Sequence, residues 1–199
     1  MRSARGLVLA MVGAALGLGC GGGEAEVLVG QVDSDAGTYV AVARQEGRLV
    51  AFFCNGDPTA EAYPGWFGGS VTENGSFHLE RDGWIADGRF GESGVQGLLV
   101  EPSGDVSAWA ASLPADPRAG LYASFHRGCT TGVIVLDPSP VAAPLVRGAW
   151  WCDDDHEPIL QVTPLLPLTI VDDGRLLVEI DFASGTKQAE VEPLTDLPR

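Results

Sequence analysis

The chain has 199 residues, 12 Lys+Arg against 27 Asp+Glu, a formal net charge of −15 and a hydrophobic fraction of 45%. That charge excludes nucleic-acid binding, which needs a positive footprint, and docking on anionic lipid through a polybasic patch. The apolar fraction excludes a disordered chain despite 27 glycines and 13 prolines; Gly-rich turns between short apolar strands account for both.

Residues 1–19 read as an export signal, with a basic tip at Arg2 and Arg5 and an apolar run from Leu7 to Leu18. Crossing a bilayer takes about 20 apolar residues, whereas a signal core takes about 7–15, so this run is a signal and not an anchor. It ends in Leu16-Gly17-Leu18-Gly19-Cys20. That ending resembles a bacterial lipobox, although Gly17 stands where the usual pattern has Leu. The resemblance implies that Cys20 becomes the mature N-terminus, diacylated at sulfur and acylated (palmitate) at nitrogen. Two or more chains anchor stably where one does not, so the expected partner is a membrane held through this lipid. Residues 20–25 then form a flexible tether. Gly21, rather than Asp, follows the cysteine, which favours the outer over the inner membrane. Losing the signal removes two arginines and no acid, taking the net charge from −15 to −17. A second reading stands beside this one: Gly17-x-Gly19 also suits an ordinary secretory cleavage site, which yields a soluble secreted or periplasmic protein.

Helical periodicity is scarce in the mature chain and strand signals are frequent. Tyr39–Ala43 reads as a strand, Gln45-Glu46-Gly47 as a turn, and Arg48–Cys54 as a buried strand. Trp66-Phe67 marks another. A regular meander follows: Asn74-Gly75 leads into Ser76–Arg81, Asp82-Gly83 into Trp84–Phe90, Glu92-Ser93-Gly94 into Val95–Val100, and Ser103-Gly104 into Val106–Ala111. Asn-Gly and Asp-Gly tolerate the positive φ of tight hairpins, and hairpins in sequence imply antiparallel pairing. Beyond a Pro-marked connector, Leu113–Pro117, come strands at Gly120–His126 and Thr131–Leu136. Asp137-Pro138-Ser139-Pro140 breaks the pattern, since proline cannot donate in a ladder. Strands resume at Val146–Cys152, Ile159–Val162, Leu168–Val171 and Leu176–Phe182, and the acidic residues from Glu190 onward read as loose.

The expected fold is therefore all-β: an antiparallel up-and-down meander, curled or closed toward a barrel, with additional C-terminal strands. Residues 26–136 form the expected β-domain and 137–199 a C-terminal β extension with a loose tail. The segments Tyr39–Ala43, Arg48–Asp57 and Trp66–Gly69, closed by Gly120-Leu121-Tyr122 and Gly132–Leu136, resemble a small domain of secreted actinobacterial and myxobacterial proteins. The resemblance spans Tyr39 to Leu136. It implies a strongly twisted sheet curling toward a barrel and assigns no activity.

Four cysteines are present. Lipidation of Cys20 leaves Cys54, Cys129 and Cys152 in an oxidising compartment, where a bridge is expected. Cys129 and Cys152 both sit at strand ends outside the first meander, and they are the expected pair. Cys54, beside Phe52 and Phe53, reads as a buried apolar thiol.

The densest set of ligand-type side chains is Cys152-Asp153-Asp154-Asp155-His156-Glu157. Asp153, Asp154, Asp155 and Glu157 could supply oxygens to a hard cation such as Ca²⁺, but EF-hand spacing is absent, and a solvated acidic loop is the preferred reading of the run. Zinc has no second Cys/His pair, so no metal is assigned. No phosphate loop is present and no cofactor is expected. His78, His126 and His156 are scattered, and no nucleophile elbow accompanies them. The five tryptophans (Trp66, Trp84, Trp109, Trp150 and Trp151) read as core; on alternation, Trp84 shares an inner face with Ala86, Gly88 and Phe90. The leading functional expectation is a non-enzymatic envelope lipoprotein displaying a β-domain for binding or structural interaction. A lipocalin-like carrier of a small apolar ligand is the alternative, and an envelope hydrolase the weaker one.

Overall fold

The computed structural model describes residues 23–33, 35–55, 65–126, 128–138, 144–152, 160–165, 168–171 and 173–198. The described residues form two antiparallel β-barrels in tandem. The first is an eight-stranded sheet built from β1 (Glu26–Val32), β2 (Asp35–Gln45), β3 (Arg48–Cys54), β4 (Gly65–Ser70), β5 (Ser76–Arg81), β6 (Trp84–Gly91), β7 (Gly94–Val100) and β8 (Val106–Ser112). Each strand pairs with its chain neighbours, and β8 returns to β1, with Gly30 facing Ala111. Only the β4/β5 seam lacks a ladder. There the Arg81 guanidinium donates to the Trp66 carbonyl at 2.8 Å, and the sheet is nearly closed.

The second barrel is closed. It contains β9 (Gly120–His126), β10 (Cys129–Asp137), β11 (Leu145–Cys152), β12 (Leu160–Pro164), β13 (Leu176–Phe182) and β14 (Gly185–Pro193), with β14 pairing back to β9. The antiparallel, barrel-forming architecture expected from the turn spacing is thus present twice. The tight turns follow the sequence: Glu46 and Gly47 have φ of 52° and 80°, and Asp82 and Gly83 have 50° and 82°. Those are the left-handed values that a two-residue hairpin matching strand twist requires.

Several expectations need correction. The change of sheet falls between Ser112 and Gly120 rather than at residue 136, because β9 and β10 hydrogen-bond to the C-terminal strands. Sequence proximity to the meander concealed this; a closed ring needs β9 as the partner of β14. The loose tail is not loose. Residues 185–193 are strand β14, and Leu194 and Leu197 are buried. Strand β1 adds to the expected set, and the strand expected at Leu168–Val171 reduces to one bridge between Ile170 and Leu176.

Three apolar layers hold the molecule together. Inside the first barrel, Trp109 packs edge-on against Phe53 (centroids 5.6 Å apart, 86°) and tilts over Phe77 at 6.2 Å. Trp109 is 1% exposed, so its rings leave water almost completely, while its indole N–H is buried without a hydrogen-bond partner among the described residues. Gly97 makes the room: a Cβ there would lie 2.7 Å from the indole and 1.9 Å from the Asp87 carbonyl. Inside the second barrel, Val133, Val135, Leu176, Val178 and Val191 fill the core. The middle layer joins the barrels: the outer faces of β1–β4 (Val29, Ala41, Val50, Phe52, Trp66) pack against Leu121, Ala123, Ile134, Leu194 and Leu197. The outer face of β5–β8 is left uncovered, with Leu98 and Val106 exposed.

Candidate functional site: a cleft at the tether end of the first barrel

Of the residues singled out in the sequence, Cys129 and Cys152 are register partners across β10 and β11 and are joined in a disulfide. Cys54 keeps its thiol and is buried in the layer between the barrels. Cys20 lies outside the described residues, and so do Asp153, Asp154, Asp155, His156 and Glu157. Trp66, Trp84 and Trp109 are buried, and Trp150 and Trp151 pack partly buried against the apolar layers. The core reading of the tryptophans holds.

The N-terminal tether and the C-terminal tail meet at one end of the first barrel. The Gln45 side-chain amide donates to the Gly23 carbonyl (2.8 Å) and to Asp196 Oδ1 (2.9 Å). Its oxygen accepts from Leu197 N–H at 3.0 Å. Ala25 N–H donates to the Thr195 carbonyl at 2.8 Å, and Arg48 donates to the Pro198 carbonyl. Gln45 can do this because it precedes the Glu46–Gly47 turn, where β2 ends beside the start of β1.

A cleft opens at the same end, on the face that the second barrel leaves free. Alternation sets Arg89, Gln96 and Ala110 in one row across β6, β7 and β8. The next row toward the turn is Gly91, Gly94 and, beside them, Ser112. Two positions in that row carry no side chain, and a hollow of about 650 Å³ results, lined among others by Arg89, Gln96, Ser93 and Ser112. Gly94 must stay glycine: its φ is 145°, and a Cβ would lie 2.3 Å from the Ala111 carbonyl. The hollow is therefore a consequence of the backbone. An adjoining depression of about 610 Å³ shares Arg89, Gln96 and Ala110 and runs toward Leu98 and Ala108.

Arg89 is the only charged side chain among the described residues lining the first hollow. It is exposed and has no hydrogen bond, ion pair or ring contact among the described residues. The other arginines of the first barrel are engaged. Arg44 pairs with Glu26 and lies 4.3 Å from the Phe90 ring centroid. Arg81 reaches Asp82, the Trp66 carbonyl and the Trp151 ring, and Arg48 holds the tail. A guanidinium without a partner, flanked by hydroxyls and an amide, is suited to an oxyanion.

On the adjacent strand β5, His78 bonds Asp87 Oδ1, two residues from Arg89 on β6, through Nδ1 (2.6 Å) and Glu80 Oε1 through Nε2 (2.7 Å). The bond to Glu80, then that to Asp87, raises its pKa above the ordinary histidine value. Both ring nitrogens are committed to carboxylates, so neither is available to take a proton from a nucleophile.

Sequence reasoning missed the Arg89 cleft. Parity from Trp84 places Arg89 on the outer face, and that much was readable. The hollow needs Gly91, Gly94 and Ser112 to be neighbours, and it needs the face to stay uncovered; both depend on pairing between strands. No protein-family model, no curated protein and no solved structure matches the chain.

Proposed function

We propose that the chain is a non-enzymatic cell-envelope lipoprotein, anchored through acylated Cys20 and oriented to the outer membrane in preference to the inner, that displays its first barrel for binding. The observation that carries the binding part is the contrast between inside and outside. The barrel interiors are packed with Trp109, Phe53, Phe77 and the valine-rich second core, while the outer face of β6–β8 holds an open cleft with an unengaged arginine. A carrier of the lipocalin type needs a roomy apolar interior, and the filled core weighs against it. The commitment of both His78 nitrogens weighs against hydrolysis.

The anchoring part is supported by the export signal and by the short tether, since only Gly21 and Gly22 separate Cys20 from the docked Gly23. Intact-mass spectrometry of the protein from membranes tests it. The expected mature chain starts at Cys20 and carries a diacylglyceryl group and an N-acyl chain, and Cys20→Ser abolishes the lipid mass. An unmodified N-terminus in the native protein overturns the reading.

A further inference from the structure

We propose that the end of the first barrel bearing Gly23, the Glu46–Gly47 turn and the Glu92–Ser93 turn is apposed to the membrane, and that the Arg89 cleft takes the headgroup of a zwitterionic phospholipid there. This rests on the lipoprotein reading of Cys20.

The first ground is reach. Three residue steps separate Cys20 from Gly23, a span of about 10 Å at full extension. Gly23 is fixed by Gln45, and Ala25 by Thr195, so the tether cannot lengthen without breaking the clasp. The strands place the other end of the barrel, at Asp82–Gly83 and Ser103–Gly104, about 23 Å away over the length of β6. The clasp end is held near the headgroups and the opposite end is not.

The second ground is charge. Glu24, Glu46, Glu73 and Glu92 crowd this end, and they repel an anionic surface. Arg89 lies two residues from Gly91, about 7 Å along the strand, on a flexible stem that carries its guanidinium toward an interface. Glu92 is not in the lining; it is exposed in the turn between the lining residues Gly91 and Ser93, at the rim of the hollow. The phosphate of a zwitterionic headgroup thus meets Arg89, with Ser93, Gln96 and Ser112 as further hydrogen-bonding groups, and its ammonium meets Glu92. A headgroup with phosphate and no ammonium leaves Glu92 opposed, so phosphoethanolamine is the better match than a bare phosphate. The hollow of about 650 Å³ is in the size range of a small-molecule site.

Two experiments test this. In the first, the mature-length chain beginning at residue 20 with Cys20→Ser, and so without the apolar run Leu7–Leu18, is titrated with glycerophosphoethanolamine, with inorganic phosphate and with ethanolamine, and amide shifts are followed by NMR. Saturable shifts at Gln96, Ser93 and Ser112 are expected with glycerophosphoethanolamine, with weaker ones for phosphate. Arg89→Gln should weaken binding about tenfold or more, the loss of one charge-assisted pair; Arg89→Lys, which keeps charge without the fork, should fall between. Unchanged affinity in Arg89→Gln, tighter binding of phosphate, or no saturable shift overturns the cleft assignment.

In the second, the lipidated protein is reconstituted in phosphatidylethanolamine-containing vesicles with a headgroup nitroxide. A fluorophore is placed at Glu73→Cys or at Ser103→Cys. Stronger quenching at position 73 is expected; equal or stronger quenching at 103 overturns the orientation. The N-terminal mass is read on the same sample. A chain without lipid fails the lipoprotein reading, whereas a lipidated chain without differential quenching fails this inference alone.

Discussion

Gly132→Ala probes whether the two barrels are one cooperative structure. Gly132 lies on β10 of the second barrel, opposite Ala149 and Ala123. A Cβ built there would stand 2.7, 2.9 and 2.9 Å from three ring atoms of Phe52 on β3 of the first barrel. Phe52 is fully buried and its ring is backed by Trp66, centroids 4.7 Å apart, so it cannot swing aside. Overpacking of this kind costs about 1–3 kcal/mol, a large share of the about 5–15 kcal/mol that holds a typical domain folded. Phe52→Leu removes the ring atoms that clash. Its own cost stays below the about 3–5 kcal/mol of truncation to Ala. In the Phe52→Leu background, adding Gly132→Ala should be nearly neutral, and the double-mutant cycle should return a coupling of about 1–2 kcal/mol. Urea titrations followed by tryptophan fluorescence and far-ultraviolet circular dichroism supply the four stabilities. An equal cost of Gly132→Ala in both backgrounds would refute the shared interface core.

Three further outcomes are expected. Replacing Cys129 and Cys152 by Ser together should lower stability by about 3 kcal/mol in the chain-entropy picture, for a bridge between residues 23 apart, and peptide mapping of the native protein should recover Cys54 outside any bridge. Leu197→Ala should cost about 2–4 kcal/mol in denaturant, since the side chain is buried between the barrels, while the exposed Leu113→Ala should fall within about 0.5 kcal/mol of wild type; a neutral Leu197→Ala would mean that the tail is not docked in solution. His78 should titrate by NMR above the ordinary histidine value, because Glu80 and Asp87 stabilise its protonated form. With the folded pKa raised, its stabilising contribution is complete below the unfolded value of about 6.5 and fades as pH rises through the folded value. Glu80→Gln with Asp87→Asn should return the titration toward 6.5, and a midpoint unmoved by that pair would sink the assignment.

The meander was legible because its signals are local. Asn74-Gly75, Asp82-Gly83 and Glu92-Ser93-Gly94 dictate where the chain reverses, and the alternation in Phe77/Leu79 and Trp84/Ala86 dictates which face is inner. Strand β14 was not legible, because its outward residues Thr186, Gln188, Glu190 and Glu192 outweigh the few apolar ones, and only Val191 is buried. A strand with so thin an apolar face is identified by its partners, β13 and β9, which lie elsewhere in the chain. Strand β1 is not legible for a related reason: Val27, Leu28 and Val29 face both apolar layers and so do not alternate, and Gly30, needed for the close approach of Ala110, follows them.

By itself the sequence determined the basic tip and apolar run of residues 1–19, the lipobox-like ending at Cys20, the acidic charge, the all-β class and the positions of the tight turns, because each is set by composition or by residues adjacent in the chain. Only the tertiary structure decided that the strands divide into two barrels between Ser112 and Gly120, that the tail is clasped to the tether by Gln45, and that Arg89 has no partner among the described residues beside a hollow at that same end. Each of these is a contact between residues far apart in sequence, and its outcome depends on register and on which faces remain uncovered after packing.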